Sequence, residues 1–371
     1  MRITLFGLAA VFWCAACQPP AAAPQTVAAA TIELPHTEMT IAGGAFDIKE
    51  PDEGEPAEGD LSGLACRPAV SQTDWNCLVI NDELATLQLV RSDGDSIFPG
   101  ATISLPAAQT AFGEAPLVVA EGQSGGVHCP AKDEPDEMDW EAIAYDGGYF
   151  YVVGSHGCSR NKFRFDHFGF RVTRFRLDEA GAVTDVQYSY RLSEALSAAD
   201  GAGEHFGDRL QPQATGGARE RGLNIEGAVV SGDTLLVGLR APALSGDAFV
   251  IGAPISVLFA SAPLSAPLVR RIALTGDAGS EVGIRDMALL ANGDLLVLGG
   301  PTEEQADVRY GLYRVGADNS VHAFGVLAPT TFVGGKAEAL LLRAEDATGL
   351  DLVVLFDGPP TGEPRRYRIA P

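Results

Sequence analysis

Apolar and polar positions divide this chain into pairs of short apolar runs, each pair joined by a polar turn. Trp140 to Tyr145 is followed by Asp146-Gly147-Gly148 and then by Tyr149 to Gly154, where aromatic and β-branched residues alternate. Asp-Gly and Gly-Gly between two such runs predict a β-hairpin. The pattern returns around Ser231-Gly232-Asp233 and Asn292-Gly293-Asp294. A related motif opens each pair: Asp60-Leu61-Ser62-Gly63-Leu64, Asp139-Trp140-Glu141-Ala142-Ile143, Asn224-Ile225-Glu226-Gly227-Ala228, Gly283-Ile284-Arg285-Asp286-Met287 and Lys336-Ala337-Glu338-Ala339-Leu340. Self-similar hairpins of this kind mark a radial or stacked repeat.

Two more strand-like runs follow most hairpins, such as Phe170 to Leu177 and Val186 to Leu192. Four strands per repeat make the blade of a β-propeller. The intervals at 109–138 and 193–223 are expected to hold loops rather than another blade. The last unit, with strands at 337–342, 350–356 and 366–369, is one strand short, and 31–41 reads as the strand that completes it. Joining the two ends in one sheet removes exposed edges. The expected fold is therefore all-β, a five-bladed propeller, or six-bladed if a long interval conceals a degenerate blade. No stretch sustains a 3.6-residue apolar period, which excludes a parallel α/β sheet.

A chain of 371 residues supports a large core, and 43 Gly with 23 Pro suit many tight turns. The net charge of −23 argues against nucleic acid or anionic lipid as partner. Arg2 precedes an apolar stretch, Ile3 to Ala16, too short to span a bilayer. It ends at Cys14-Ala15-Ala16-Cys17, which resembles a bacterial lipobox with Cys17 as the lipidated residue and Gln18 directing it to the outer membrane. Cleavage among the alanines of 21–30 would instead release a soluble periplasmic protein. The expected organisation is a signal peptide (1–17), a Pro/Ala tether (18–30) and a single propeller domain (31–371), monomeric and touching membrane only through its lipid. Cys66, Cys77, Cys129 and Cys158 then remain, an even number that suits two disulfides in an oxidising compartment. Of three pairings, the hairpin pattern favours Cys66 with Cys77 and Cys129 with Cys158.

The motifs resemble a bacterial propeller family known as domain of unknown function 3616, similar in style to esterase-like and phytase-like propellers. The resemblance rests on Asp139 to Asp146 with Ser155-His156, Leu223 to Gly227, Gly238 to Pro242, Ile284-Arg285-Asp286 and Gly299 to Thr302. It covers about residues 55 to 360. Ser62 stands where the family has an acid, and Ala142 where it has a glycine. The resemblance implies an exported propeller and brings no established reaction.

Hairpin geometry points to a site. The start of the first strand and the end of the second lie at the same end. Glu141 should therefore neighbour Ser155 and His156, Glu226 should neighbour Arg240, Arg285 and Asp286 should neighbour Gly299 to Thr302, and Glu338 should neighbour Asp357. Around a propeller axis these positions converge on one mouth of the channel. The candidate ligand-binding residues are Glu141, His156, Glu226, Arg240, Arg285, Asp286 and Glu338. Glu141, Glu226 and Glu338 are also candidate metal ligands, and the acidic runs 50–60 and 133–139 on the same face suit calcium. The plainer reading is a polar plug that ties blades together. A basic and aromatic strip at 160–176 reads either as an anion-binding face or as a strand with outward arginines. Gly122-Gln123-Ser124-Gly125-Gly126 matches the nucleophile-elbow pattern but lacks the following helix, so no serine nucleophile is assigned. Two functions fit: a binding module for a protein, glycan or anionic small molecule, and a calcium-assisted hydrolase of an anionic ester.

Overall fold

The computed structural model describes residues 32–49, 57–69, 75–108, 110–120, 123, 125–132, 138–159, 163–178, 180–210, 222–276, 280–303, 305 and 307–370. The expected signal peptide, Cys17 and the tether lie outside them. Two short strands come first, β1 (His36–Glu38) and β2 (Thr40–Ile41). Blade one follows with β3 (Leu61–Cys66), β4 (Cys77–Asn81), β5 (Thr86–Ser92) and β6 (Ser96–Ser104). After β7 (Thr110–Phe112), blade two comprises β8 (Trp140–Asp146), β9 (Tyr149–Gly154), β10 (Val172–Leu177) and β11 (Val183–Ser189). Blade three is β12 (Asn224–Ser231), β13 (Thr234–Ala241), β14 (Asp247–Pro254) and β15 (Leu268–Ala273). Blade four is β16 (Val282–Leu289), β17 (Leu295–Pro301), β18 (Gly311–Val315) and β19 (Val321–Val326). Blade five is β20 (Lys336–Asp346), β21 (Gly349–Asp357) and β22 (Arg365–Ile369), with β1 on its outer edge.

The innermost strands touch in the order β3, β8, β12, β16, β20 and back to β3, so the five sheets close into a ring. Each sheet is covered on both faces by its neighbours, and strands such as β17 read as unbroken apolar runs for that reason. The turn of the second hairpin shows why its sequence was legible: Gly147 and Gly148 have φ of 57° and 86°, the two left-handed residues a tight hairpin turn requires.

Three expectations need correction. The strand read at 31–41 divides: His36–Glu38 pairs with β22 in blade five, whereas Thr40–Ile41 runs parallel to β6 in blade one. The N-terminal segment therefore stitches the first and last blades. The interval before blade two is not all loop, because β7 adds a fifth, parallel strand to that sheet. The run to Leu192 stops being strand at Ser189, where helix α1 (Arg191–Ser197) buries Leu192, Ala195 and Leu196 in the core between blades two and three.

Both disulfides form as paired in the sequence reading. Cys66 stands directly opposite Cys77 in the first hairpin, and Cys129 joins Cys158 beside the second.

One departure from regular pairing recurs in every blade. The ladder of each inner hairpin slips by one residue just after its start, a β-bulge in which the extra residue has no partner. The unpaired residues are Ser62, Glu141, Glu226, Arg285 and Glu338, the same position of each opening motif. A bulge re-aims the side chain it carries. Five bulges related by the propeller ring re-aim five side chains, four of them ionisable, at one end of the inner strands.

Candidate functional site

Beginning with blade three, Glu226 and Arg240 sit on adjacent strands, and Arg240 is itself skipped in the register of β13. Nη1 of Arg240 donates to Oε1 of Glu226 over 2.6 Å, and its Nε reaches the carbonyl of Thr302 in blade four at 3.1 Å. Arg285 of blade four is fully buried. Its Nε lies 2.8 Å from Oε2 of Glu226, while Nη2 donates to Oε1 of Glu338 in blade five. One guanidinium thus ties blades three, four and five, and the planar fork suits two carboxylates at once. The carboxylates hold Arg285 above the ordinary arginine range against the opposing effect of burial. Burial raises Glu226 despite both arginines.

Asp286 performs a backbone duty beside it. Its Oδ1 accepts from the Met287 amide at 2.7 Å and its Oδ2 from the Leu340 amide of blade five at 2.6 Å. Lys336 donates to Asp357 over 2.6 Å across the two strands of the fifth hairpin. Asp357 is pushed up to about 7, first by burial and then by Glu338, with Lys336 opposing.

The other side of the ring is different. Glu141 makes no hydrogen bond or ion pair with any described residue, and the bulge residue of blade one is Ser62, which brings no charge. Burial raises Glu141 well above the carboxylate range, with Glu226, Asp82, Asp139 and Glu338 adding repulsion. Asp82, at the exit of β4, is raised likewise by burial and by Asp357, Glu338, Asp60 and Glu83. Its Oδ1 is buried without a partner. Burial lifts Asp60 to about 6.

A cavity of about 270 Å³ opens on this side, lined by side chains from blades one, two and three. Among its walls, Asp82, Glu83, Asp139, Glu141 and Asp166 are acidic, against Lys132, Arg164 and Arg240. Four wall atoms are buried and unpartnered: Oδ1 of Asp82, Oδ2 of Asp166, Oδ1 of Asn224 and Nη2 of Arg240. Asp166, Asn224 and Arg240 are 5, 6 and 4% exposed. Such groups are normally satisfied in a folded protein, so their gathering around one space marks a place built for something else. Asp139 adds strained backbone, with φ of 51°, and accepts a hydrogen bond from Ser155 Oγ.

His156 does not join this group. Its backbone φ of 54° reverses the side chain relative to Ser155, so Ser155 faces the cavity. The imidazole is fully buried against Phe170, bonded through Nδ1 to the Gly154 carbonyl, and burial lowers it to about 4. The three glutamates are not gathered as a metal set: Arg285 occupies the space between Glu226 and Glu338, and no described residues form a group of three or more His, Cys, Asp or Glu able to hold a metal. Most of the two acidic runs falls outside the described residues. In the basic strip, Arg171 stacks on Phe168 and Tyr188, Arg174 on Phe259 and Arg176 on Tyr149, so these arginines are engaged in side-chain stacks; 160–162 lie outside the described residues.

The sequence matches the family described as "Protein of unknown function (DUF3616)" over residues 69–180 and 176–366. No curated protein matches it. Among solved structures, the chain is similar to the periplasmic gluconolactonase of Pseudomonas aeruginosa at 11% identity and a TM-score of 0.35, over 83% of this chain and 85% of that one. It is similar at 12% identity and 0.35 to a protein assigned as a 6-phosphogluconolactonase in Bacteroides uniformis, over 85% and 88%. It is similar at 10% identity and 0.32 to the extracellular domain of a protein assigned as a hybrid two-component system of B. thetaiotaomicron, where it covers 90% of itself and only 40% of that chain. Likenesses this distant say nothing about activity.

Proposed function

The chain belongs to the DUF3616 family, and we propose that this member is an exported binding protein whose ligand site is the cavity on the open side of the channel mouth. The observation that carries the reading is the set of four unpartnered buried polar atoms, drawn from three blades, around one space. Leaving such a group without a partner costs about 1–3 kcal/mol, a standing penalty that a bound ligand would relieve. The calcium-assisted hydrolase is the weaker reading, since two of its three carboxylates already neutralise Arg285. The two disulfides suit an oxidising compartment, and anchoring through Cys17 belongs to the same proposal. A thermal-shift screen of the full chain against small polar compounds tests the site. Asn224→Leu removes an unsatisfied acceptor, so it should raise the melting temperature of the free protein and abolish the ligand-induced shift. A shift that persists in Asn224→Leu would place the ligand elsewhere.

A further inference from the structure

The unpartnered atoms also describe what they await. Three are acceptors, on Asp82, Asp166 and Asn224, and one is a donor, on Arg240. Glu141 adds a carboxylate that no described residue pairs. Arg240 already gives Nη1 to Glu226 and Nε to Thr302, so what it offers the cavity is the N–H donors of Nη2 rather than a free positive charge. An anionic ligand would meet five acids in the walls against three bases, Lys132, Arg164 and an Arg240 already paired with Glu226. A neutral ligand would bring no charge to Asp82 and Glu141, which line the same cavity and whose carboxylates no described residue pairs. A divalent metal needs several carboxylate oxygens converging at bonding distance, and the described residues do not provide such a group.

We infer that the cavity takes a small organic cation, a primary ammonium or guanidinium, with its charged end between Asp82 and Glu141 and a hydrogen-bond acceptor toward Nη2 of Arg240. The N–H groups of the ligand fill the acceptors of Asp82, Asp166 and Asn224, and its acceptor takes an N–H of Nη2 of Arg240. The volume of about 270 Å³ suits a molecule smaller than a typical drug-sized ligand. In this arrangement the ligand plays on the open side the part that Arg285 plays on the other, a cation between two carboxylates. The inference rests on the reading of the cavity as the ligand site.

Calorimetry on the full chain with glucosamine, agmatine and arginine, against glucose, gluconate and calcium chloride, tests it. At least one of the cationic probes should bind, and glucose, gluconate and calcium should not. Asp82→Asn and Glu141→Gln should each weaken that binding about thirtyfold or more, the lower end of what losing a partner of a buried charge costs. Both changes remove repulsion, so the variants should fold, and their unliganded melting curves check this. Binding of glucose, gluconate or calcium in place of the cations, lost in Asn224→Leu, would leave the cavity as the site and overturn the cationic assignment. Cation binding unaffected by both variants would also overturn it. If no probe binds the wild type, the assignment fails, and the broader screen decides the site separately.

Discussion

The two halves of the channel mouth use the same backbone device and end in opposite electrostatic states. In blades three to five, bulges deliver Glu226, Arg285 and Glu338, and Arg285 is placed between the two acids. In blades one and two they deliver Ser62 and Glu141, with Asp82 alongside, and no described residue pairs with the carboxylate of either acid. A buried ion pair fixes geometry and contributes little net stability, whereas a buried unpaired acid costs stability outright. The closed half therefore holds three blades in register. The open half is strained electrostatically, and that kind of cost persists where a protein needs a site.

Breaking the closed half should have the largest effect. Arg285→Met leaves Glu226 and Glu338 buried without their shared cation and should destabilise the fold by about 3–5 kcal/mol in denaturant unfolding. Adding Glu226→Gln and Glu338→Gln should restore much of that loss, because the penalty lies in the stranded charges. A small loss in the single variant would mean that water reaches these carboxylates.

The second effect concerns the frame around the cavity. Cys158 lines it and is tied to Cys129, 29 residues earlier in the chain. Replacing both with serine should cost about 3–4 kcal/mol in the chain-entropy account of a loop of that length. The Cys66–Cys77 bridge, spanning 11 residues in the first hairpin, should cost about 3 kcal/mol. Only the first loss should also weaken ligand binding. Equal effects of both on binding would show that the cavity responds to general loosening.

The smallest effect is a pH dependence of stability with a definite sign. An acid whose folded pKa is raised binds more protons folded than unfolded, so stability falls as pH rises from its ordinary value to the raised one. Asp60 and Asp357, at about 6 and 7, place much of that loss between about pH 4 and 7. Glu141, raised well above the ordinary range, extends it upward. Glu141→Gln should thus be more stable than wild type by about 1 kcal/mol at pH 8 and indistinguishable at pH 4, measured by urea unfolding at both.

Much of this arrangement was legible because repetition exposes geometry. Aligning five opening motifs picks out Ser62, Glu141, Glu226, Arg285 and Glu338, and the rule that a hairpin's two ends meet places Arg240 beside Glu226 and Asp357 beside Glu338, whereas the structure pairs Asp357 with Lys336. That the position is a bulge was not legible, since a one-residue slip leaves no mark in an apolar run. Asp82 was missed although the same hairpin rule reaches it: it follows β4 as Ser155 follows β9, but the uncharged serine at the motif position of blade one gives it no ionisable neighbour in the pattern. His156 was misplaced because its side-chain direction depends on a left-handed backbone angle that a histidine does not announce. Asp166 and Asn224 become recognisable only in three dimensions, through the atoms they leave unpaired.

The contrast between the halves rests on Glu141 standing without a counter-charge, and its own titration tests that most directly. Carboxyl carbon NMR of glutamate-labelled protein, with Glu141 assigned by its loss in Glu141→Gln, reads the group in place. The account predicts a midpoint well above that of an ordinary glutamate, shifted downward when a cationic ligand fills the cavity. A midpoint at or below the ordinary value of about 4.3 would mean that Glu141 is already paired, and the open half would then be as closed as the other.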